Sequence, residues 1–331
     1  MSRPARENQE IGPLAGLARK VVAGFVFAAA IYALMHYAAT EQGVGASVLN
    51  FPPGAWITVL LLSLLNYALR SARWHIYLAA LNQPVSIPAS VMAYIAGFAL
   101  TATPGKVGEA YRCVLLDRHG VGFNSSLSAC FFERVVDVAV VAILASALLY
   151  EMELVGGPAA FVIIGVILGI GYVARLDPAI VHDLLGKILR NRFARMRTHI
   201  SEFTSNCGLL LESRNLVTGG LLGLIAWVAE GVGLAVILDA FAVPLPIVAA
   251  VGIYATAMLV GAVSMLPGGL GSAEAAMVIL LNQNGVPLDV AAAATLICRI
   301  ATLWFAILLG ALAIPIFSLV YAPKTTSPSV E

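Results

Sequence analysis

Eight ionisable residues stand in stretches that otherwise avoid water: Lys106, Glu109, Glu133, Arg134, Asp137, Glu230, Glu274 and Arg299. An unpaired charge at the centre of a membrane helix costs about 2.5–3.5 kcal/mol. Eight of them would outweigh the ~5–15 kcal/mol net stability of an ordinary domain, so they must be paired or hydrated, and a polar cavity does both. In FFERVVDVAVV (131–141), Glu133 and Asp137 are four residues apart and Arg134 and Asp137 three, so one helix face collects all three. Arg299, in TLICRIATLW, has no acid within four residues on its own helix. Glu109, Glu274 and Glu230 are its candidate partners. An anionic ligand is another, because a guanidinium fork fits phosphate.

Three of these charges, Lys106, Glu109 and Glu274, sit in two breaks that resemble each other. TPGKVGEA (103–110) aligns with LPGGLGSAEA (266–275) through Pro, Gly, an aliphatic residue, Gly and Glu-Ala, with two residues inserted before the second Glu. Pro104 precedes Arg134 by 30 residues, and Pro267 precedes Arg299 by 32. Upstream, Pro84 and Tyr94 match Pro244 and Tyr254, at spacings to the break that differ by three. Pro104, Gly105, Gly108, Pro267, Gly268, Gly269 and Gly271 are therefore the expected hinge positions. The backbone N–H groups of Gly105, Gly108, Gly268, Gly269 and Gly271 would turn toward a ligand at a helix start, which attracts anions. With Arg112, which follows the first break, the eight charges make the candidate substrate-binding set.

The segments that must position these residues are long and apolar. They run over 21–37, 56–69 (extending to 81 past Arg70 and Arg73), 127–150, 159–174, 216–240 and 290–320. Each is near or above the roughly 20 residues that cross a bilayer. Hydrophobic residues make up 60% of the chain and charged residues 11%, against about 25% charged in soluble domains, which places it among membrane proteins. The net charge of +1 gives no field for nucleic acid, and the four scattered cysteines form neither a disulfide framework nor a zinc site. No metal or other cofactor is expected, and no nucleotide-binding loop is present. Arg19-Lys20 and the run after them lack a clear cleavage site, so the first segment reads as a retained span.

The connections at 39–55, 151–158, 241–247 and 282–289 contain no Lys or Arg. Basic residues cluster instead before residue 21 and over 175–214, and Arg70, Arg73, Arg112 and Arg118 count with them as flanking charges. The positive-inside rule then puts both termini in the cytoplasm. It closes only if the segments 88–103 and 247–266 enter and return on the same side. The expected fold is an all-α polytopic membrane protein of about six full transmembrane helices plus two re-entrant broken-helix hairpins, arranged as an inverted-topology repeat. Its parts are a cytoplasmic tail at 1–18, a first membrane half at 19–174 with its break at 103–117, and a basic amphipathic connection at 175–215. A second half at 216–321 has its break at 266–283, and 322–331 is a disordered tail.

PGKVGEAYR, ERVVDVAVV and PGGLGSAEA resemble signature segments of the lysylphosphatidylglycerol synthase transmembrane-region family, the flippase-like domain proteins, over about residues 15–320. That resemblance implies a lipid-translocating domain in the bacterial cytoplasmic (inner) membrane. It implies membrane lipids with an anionic head group, and lipid-biosynthesis enzymes, as partners. Lys106, Glu109 and Arg112 match the first motif, Glu133, Arg134 and Asp137 the second, and Pro267, Gly268, Gly271 and Glu274 the third. The sequence runs to Glu331 without a soluble aminoacyltransferase domain, so the synthase activity in the family name is not expected. The function expected is a flippase-like transporter, not an enzyme, that moves an anionic or polyprenyl-phosphate-linked lipid between leaflets. An integral-membrane transferase using Glu151 and Glu153 of YEMEL is the alternative, and a purely structural membrane protein is a third.

Overall fold

Residues 44–103, 108–151 and 194–321 are described by the computed structural model, and helices are the only regular elements among them. In chain order they are α1 (Val44–Leu49), α2 (Pro53–Ala80), α3 (Ile87–Gly97, prolonged by a 3-10 turn at Phe98–Leu100), α4 (Tyr111–Asp117) and α5 (Phe123–Glu151). Then follow α6 (Ala194–Leu210), α7 (Ser213–Ala240), α8 (Ile247–Val263), a 3-10 turn at Pro267–Gly269, α9 (Ser272–Gln283), α10 (Leu288–Arg299), a π turn at Ile300–Trp304, and α11 (Phe305–Val320). The segments 21–37 and 159–174, both tails, residues 175–193 of the basic connection, and Pro104, Gly105 and Lys106 lie outside the described residues.

Among the described residues three helices are long and apolar enough to cross a membrane: Pro53–Ala80, Ser213–Ala240 and the continuous Leu288–Val320. α5, with 29 residues, reaches about 43 Å, beyond the ~30 Å hydrocarbon core, and carries Glu133, Arg134 and Asp137 along the way. Ile87–Leu100 and Ile247–Val263 are shorter. Proline starts α2 and stands in the first turn of α3, where its missing N–H costs nothing. The long helices are turned inside out relative to a soluble protein. Ile57, Leu61 and Leu65 line the outer face of α2, and Val217, Leu221 and Ile225 that of α7, while arginines and carboxylates face inward. This is the arrangement of a multi-helix membrane protein, whose apolar exterior meets lipid.

The repeat is deeper than its motifs. α2 and α7 have 28 residues each and start 160 positions apart, at 53 and 213. Both end in a turn with one left-handed residue, Asn82 at φ 53° and Ala242 at φ 56°, and then lead into a helix at Ile87 or Ile247. α8 is 17 residues long, against 14 for Ile87–Leu100, which accounts for the three-residue difference in spacing seen in the sequence. After the breaks, Gly120 (φ 84°) and Gly285 (φ 83°) close equivalent turns before α5 and α10. In each unit the chain doubles back at its break: Gly97 meets the carbonyl of Glu109, and Ser264 bonds Ser272 at 2.7 Å.

The equivalent helices α2 and α7 pack on each other antiparallel, since Val59 lies against Gly233 while Tyr77 lies against Gly219. The two units therefore point in opposite directions. Midway, Asn66 donates its amide to the carbonyl of Ala226, the residue at its own equivalent position, at 2.8 Å. Small residues permit the close approaches, as is usual between membrane helices. The tightest approach to another backbone is at Gly310 of α11, where an added Cβ would fall 2.2 Å from the backbone nitrogen of Ala99.

Gly310→Ala is accordingly expected to lose about 1–3 kcal/mol by forcing two backbones apart. The measurement is thermal unfolding of the detergent-purified protein, and an unchanged midpoint would contradict the backbone contact.

Candidate functional site

Glu133 sits where α2, α4 and α5 converge, and it is fully buried. Its Oε1 accepts from Arg134 at 2.9 Å, Arg73 at 3.3 Å and the Tyr94 hydroxyl at 2.6 Å, and lies 3.6 Å from Arg70. Its Oε2 accepts from Arg112 at 2.7 Å. One turn on, Asp137 accepts from Arg73 at 2.6 Å, Arg70 at 3.3 Å and the Trp227 indole at 3.1 Å, and pairs with Arg134 at 3.1 Å. Spacing explains the meeting: Asn66, Arg70, Arg73 and Tyr77 lie at intervals of four, three and four, which is one face of α2. The opposing helix makes room with glycine, since a Cβ at Gly223 would fall 2.6 Å from Arg73 Nη1.

Arg112 shows why arginine is used here. Its guanidinium lies 4.0 Å from the Trp74 ring and 4.6 Å from that of Tyr94, and it donates edge-on to Glu133 and to Cys130 Sγ. A planar, weakly hydrated cation can stack and donate together, which an ammonium cannot.

Each unit pairs its own arginine with the glutamate of its own break. Arg134 Nη1 stands 3.4 Å from Glu109 Oε2, and Arg299 Nε donates to Glu274 Oε1 at 2.7 Å. Beyond that pair the units differ. The places of Glu133, Asp137 and Arg112 are taken in the second unit by Cys298, Thr302 and Met277. One contact survives the change of chemistry: Trp227 donates to Asp137, and its equivalent Tyr67 donates to the carbonyl of Thr302 at 2.5 Å.

Two cavities adjoin the network. The larger, about 240 Å³, has Arg134, Asp137, Arg299 and the backbone of Gly268 and Gly269 at its polar end. Its walls are Val138 and Val141 of α5, Leu259 of α8, and Met265 and Leu266 of the second break. Val138, Met265 and Leu266 are also exposed at the outer surface, so this groove opens toward the lipid-facing side. Arg134, 27% exposed in its side chain, is more accessible than any other arginine of the network. The smaller cavity, about 50 Å³, lies between the units and is lined by Asn66, Arg70, Glu109, Glu230, Tyr254 and Arg299, among others.

Two expectations from the sequence are corrected. Arg70, Arg73 and Arg112 are not flanking charges. They are buried and bind Glu133, because a long helix can carry arginines through its middle once a neighbour supplies the carboxylates. Nor do Gly108, Gly269 and Gly271 hold their N–H groups toward a ligand, and Gly105 lies outside the described residues. The Gly271 N–H donates to Glu274 Oε2 at 2.7 Å, a carboxylate capping its own helix α9, and the Gly108 N–H donates to Thr103 Oγ1. Gly269 likewise donates to Leu266, and Gly268 offers its carbonyl to Arg299. Glu151 ends α5, and Glu153 lies outside the described residues. Tyr94, Trp74 and Trp227 were not anticipated as site residues. Among the described residues no three His, Cys, Asp or Glu side chains gather as metal ligands.

The sequence family described as "Lysylphosphatidylglycerol synthase TM region" matches residues 21–310. A "UPF0104 membrane protein" of Methanothermobacter thermautotrophicus is 25% identical over 286 residues, covering 79% of this chain and 85% of its own. A further match to a protein so described in that archaeon is 39% identical over 102 residues, 31% of this chain and 29% of the relative.

Glu133→Gln leaves four arginines facing a neutral amide and is expected to cost about 3–5 kcal/mol. The exposed Asp289→Asn should stay within about 0.5 kcal/mol. Unfolding midpoints of the two variants in detergent, side by side, decide whether Glu133 holds the network.

Proposed function

We propose that this chain, which belongs to the lysylphosphatidylglycerol synthase TM region family, is a flippase-like transporter of anionic lipids rather than an enzyme. One observation carries the reading: the 240 Å³ groove joins apolar walls, open toward the lipid face, to an inner end made of Arg134 and Arg299. Pockets for whole small-molecule ligands measure roughly 300–1,000 Å³, so this smaller space suits a head group whose chains stay in the bilayer. The phosphate of a phospholipid, or of a polyprenyl phosphate, would meet Arg134 first. Glu109 and Glu274 hold the two arginines in register, each from its own unit. Two oppositely directed units around a central antiparallel helix pair are the framework on which secondary transporters alternate access. The membrane in question is the cytoplasmic membrane, with both termini on its inner side, and lipid-biosynthesis enzymes would supply or consume the lipid.

The test is leaflet exchange of fluorescent phosphatidylglycerol in proteoliposomes, read by dithionite quenching. Wild type is expected to exchange the label, and Arg134→Gln to slow exchange at least about tenfold, the cost of one charge-assisted hydrogen bond, while remaining folded at the assay temperature. Equal rates for the two proteins would remove Arg134 from the lipid's path, and no exchange by wild type would end the transport reading.

A further inference from the structure

The small cavity between the units has an acceptor in its wall that the protein does not satisfy. Asn66 lies midway along the packed helices α2 and α7, is 1% exposed, and lines this space. Its amide nitrogen is committed to the carbonyl of Ala226 at 2.8 Å, because a carbonyl can be met only by the N–H end of an amide. The other end, Oδ1, is buried and accepts no hydrogen bond among the described residues. One turn on, Arg70 lines the same space and donates to Asp137 through Nη2, while its Nε donates to nothing among those residues. A buried amide oxygen without a donor is unfavourable, and a visiting O–H or N–H group relieves it.

Resting on the transport reading above, we propose that this cavity is the subsite for the far end of the lipid head group, that this end carries hydroxyl groups, and that Asn66 selects it. Position comes first. The cavity shares Trp227, Met258, Arg299 and Leu303 with the lipid groove, so the two spaces meet around Arg299. A phosphodiester at Arg134 and Arg299 keeps its acyl chains on the oily side of the groove, and its other ester substituent reaches past Arg299 into the cavity.

Size and chemistry then narrow the occupant. A water-sized group needs about 10–15 Å³ of such space, so 50 Å³ admits about three to five of them. The hydroxyl-bearing end of a glycerol fits, and a sugar ring or an aminoacyl extension does not. The wall sets acceptors, Asn66 Oδ1 and the carboxylates of Glu109 and Glu230, beside donors on Arg70, Tyr254 and Arg299. A hydroxyl both donates and accepts, so it can bridge Asn66 to a neighbouring guanidinium, whereas an ammonium only donates. Being neutral, a hydroxyl also suits the site whatever net charge the surrounding cluster carries. The device belongs to one unit alone, since the residue equivalent to Asn66 on α7 is Ala226, which has no polar side chain.

The discriminating probe is phosphatidylpropanol, which keeps the phosphodiester, the charge and the length of phosphatidylglycerol and lacks both hydroxyls. Acyl-labelled phosphatidylglycerol, phosphatidylpropanol and phosphatidylethanolamine would each be followed by dithionite quenching in proteoliposomes of one composition. Wild type is expected to exchange phosphatidylglycerol at least about fivefold faster than phosphatidylpropanol, the effect of one neutral hydrogen bond. Asn66→Leu should bring that ratio to within about twofold of unity. A merely structural loss would slow both lipids alike and keep the ratio. Asn66→Ala takes its place if Asn66→Leu does not fold. Equal rates for the two lipids in wild type overturn the subsite and leave the transporter standing. A folded variant that keeps the wild-type ratio puts the hydroxyl elsewhere and overturns Asn66. Phosphatidylethanolamine exchanged fastest, in a manner that depends on Asn66, overturns the hydroxyl in favour of an ammonium. If no lipid moves, the transport reading ends and binding decides the subsite. In detergent, short-chain phosphatidylglycerol should then raise the unfolding midpoint of wild type more than short-chain phosphatidylpropanol does, with no such difference in the variant. Equal shifts in wild type would overturn the subsite as well.

Discussion

A carboxylate surrounded by arginines, at a depth where water cannot help, is the constraint on which this molecule is built. Glu133 reaches Arg70, Arg73, Arg112 and Arg134 within 3.6 Å, so removing it would leave several cations facing one another in a weakly polar interior. That requirement fixes the placement of α2, α4 and α5 and demands the glycine notch on α7. It also explains the stacking of Arg112 between Trp74 and Tyr94, which secures a cation whose lone pairing with Glu133 would leave its flat faces uncovered. Buried ion pairs are poor sources of stability but strong determinants of one arrangement over others, because every misplacement strands a charge.

The two units have divided their labour. The first retains the dense network, while the second replaces Glu133, Asp137 and Arg112 with Cys298, Thr302 and Met277 and keeps a single pair, Arg299 with Glu274. In exchange it contributes Leu259, Met265 and Leu266, the apolar wall of the groove. A symmetric duplicate would have had either two dense networks or two grooves. The asymmetry is what gives the groove an inner, charged end and an outer, oily one.

Much of this was legible from residue types. The expense of charge in lipid singled out Glu109, Glu133, Arg134, Asp137, Glu230, Glu274 and Arg299, and all seven are brought to one interior. The pairing of Arg299 with Glu274 was among the three partners named for it. Arg70 and Arg73 were misread because counting basic residues treats any arginine at the edge of an apolar run as a loop charge. The signal that could have corrected this was present: Asn66, Arg70, Arg73 and Tyr77 recur at helical spacing with no Gly or Pro between Pro53 and Ala80 other than Gly54. The engagement of the break glycines by Glu274 and Thr103 could not be read at all, because it depends on backbone direction. The length of α8 also stayed hidden, and with it the reason that the upstream spacings of the two repeats differ.

The ion pairs between α2 and α5 also constrain how the chain is made. Presented to the bilayer alone, α2 would carry Arg70 and Arg73 at a cost of about 5–7 kcal/mol, and α5 would carry Glu133, Arg134 and Asp137 at about 8–10 kcal/mol. The apolar residues of each helix offset part of that cost, and each helix supplies countercharges that the other lacks. Meeting within the bilayer therefore relieves both, so that the charged centre of the finished protein also favours its assembly.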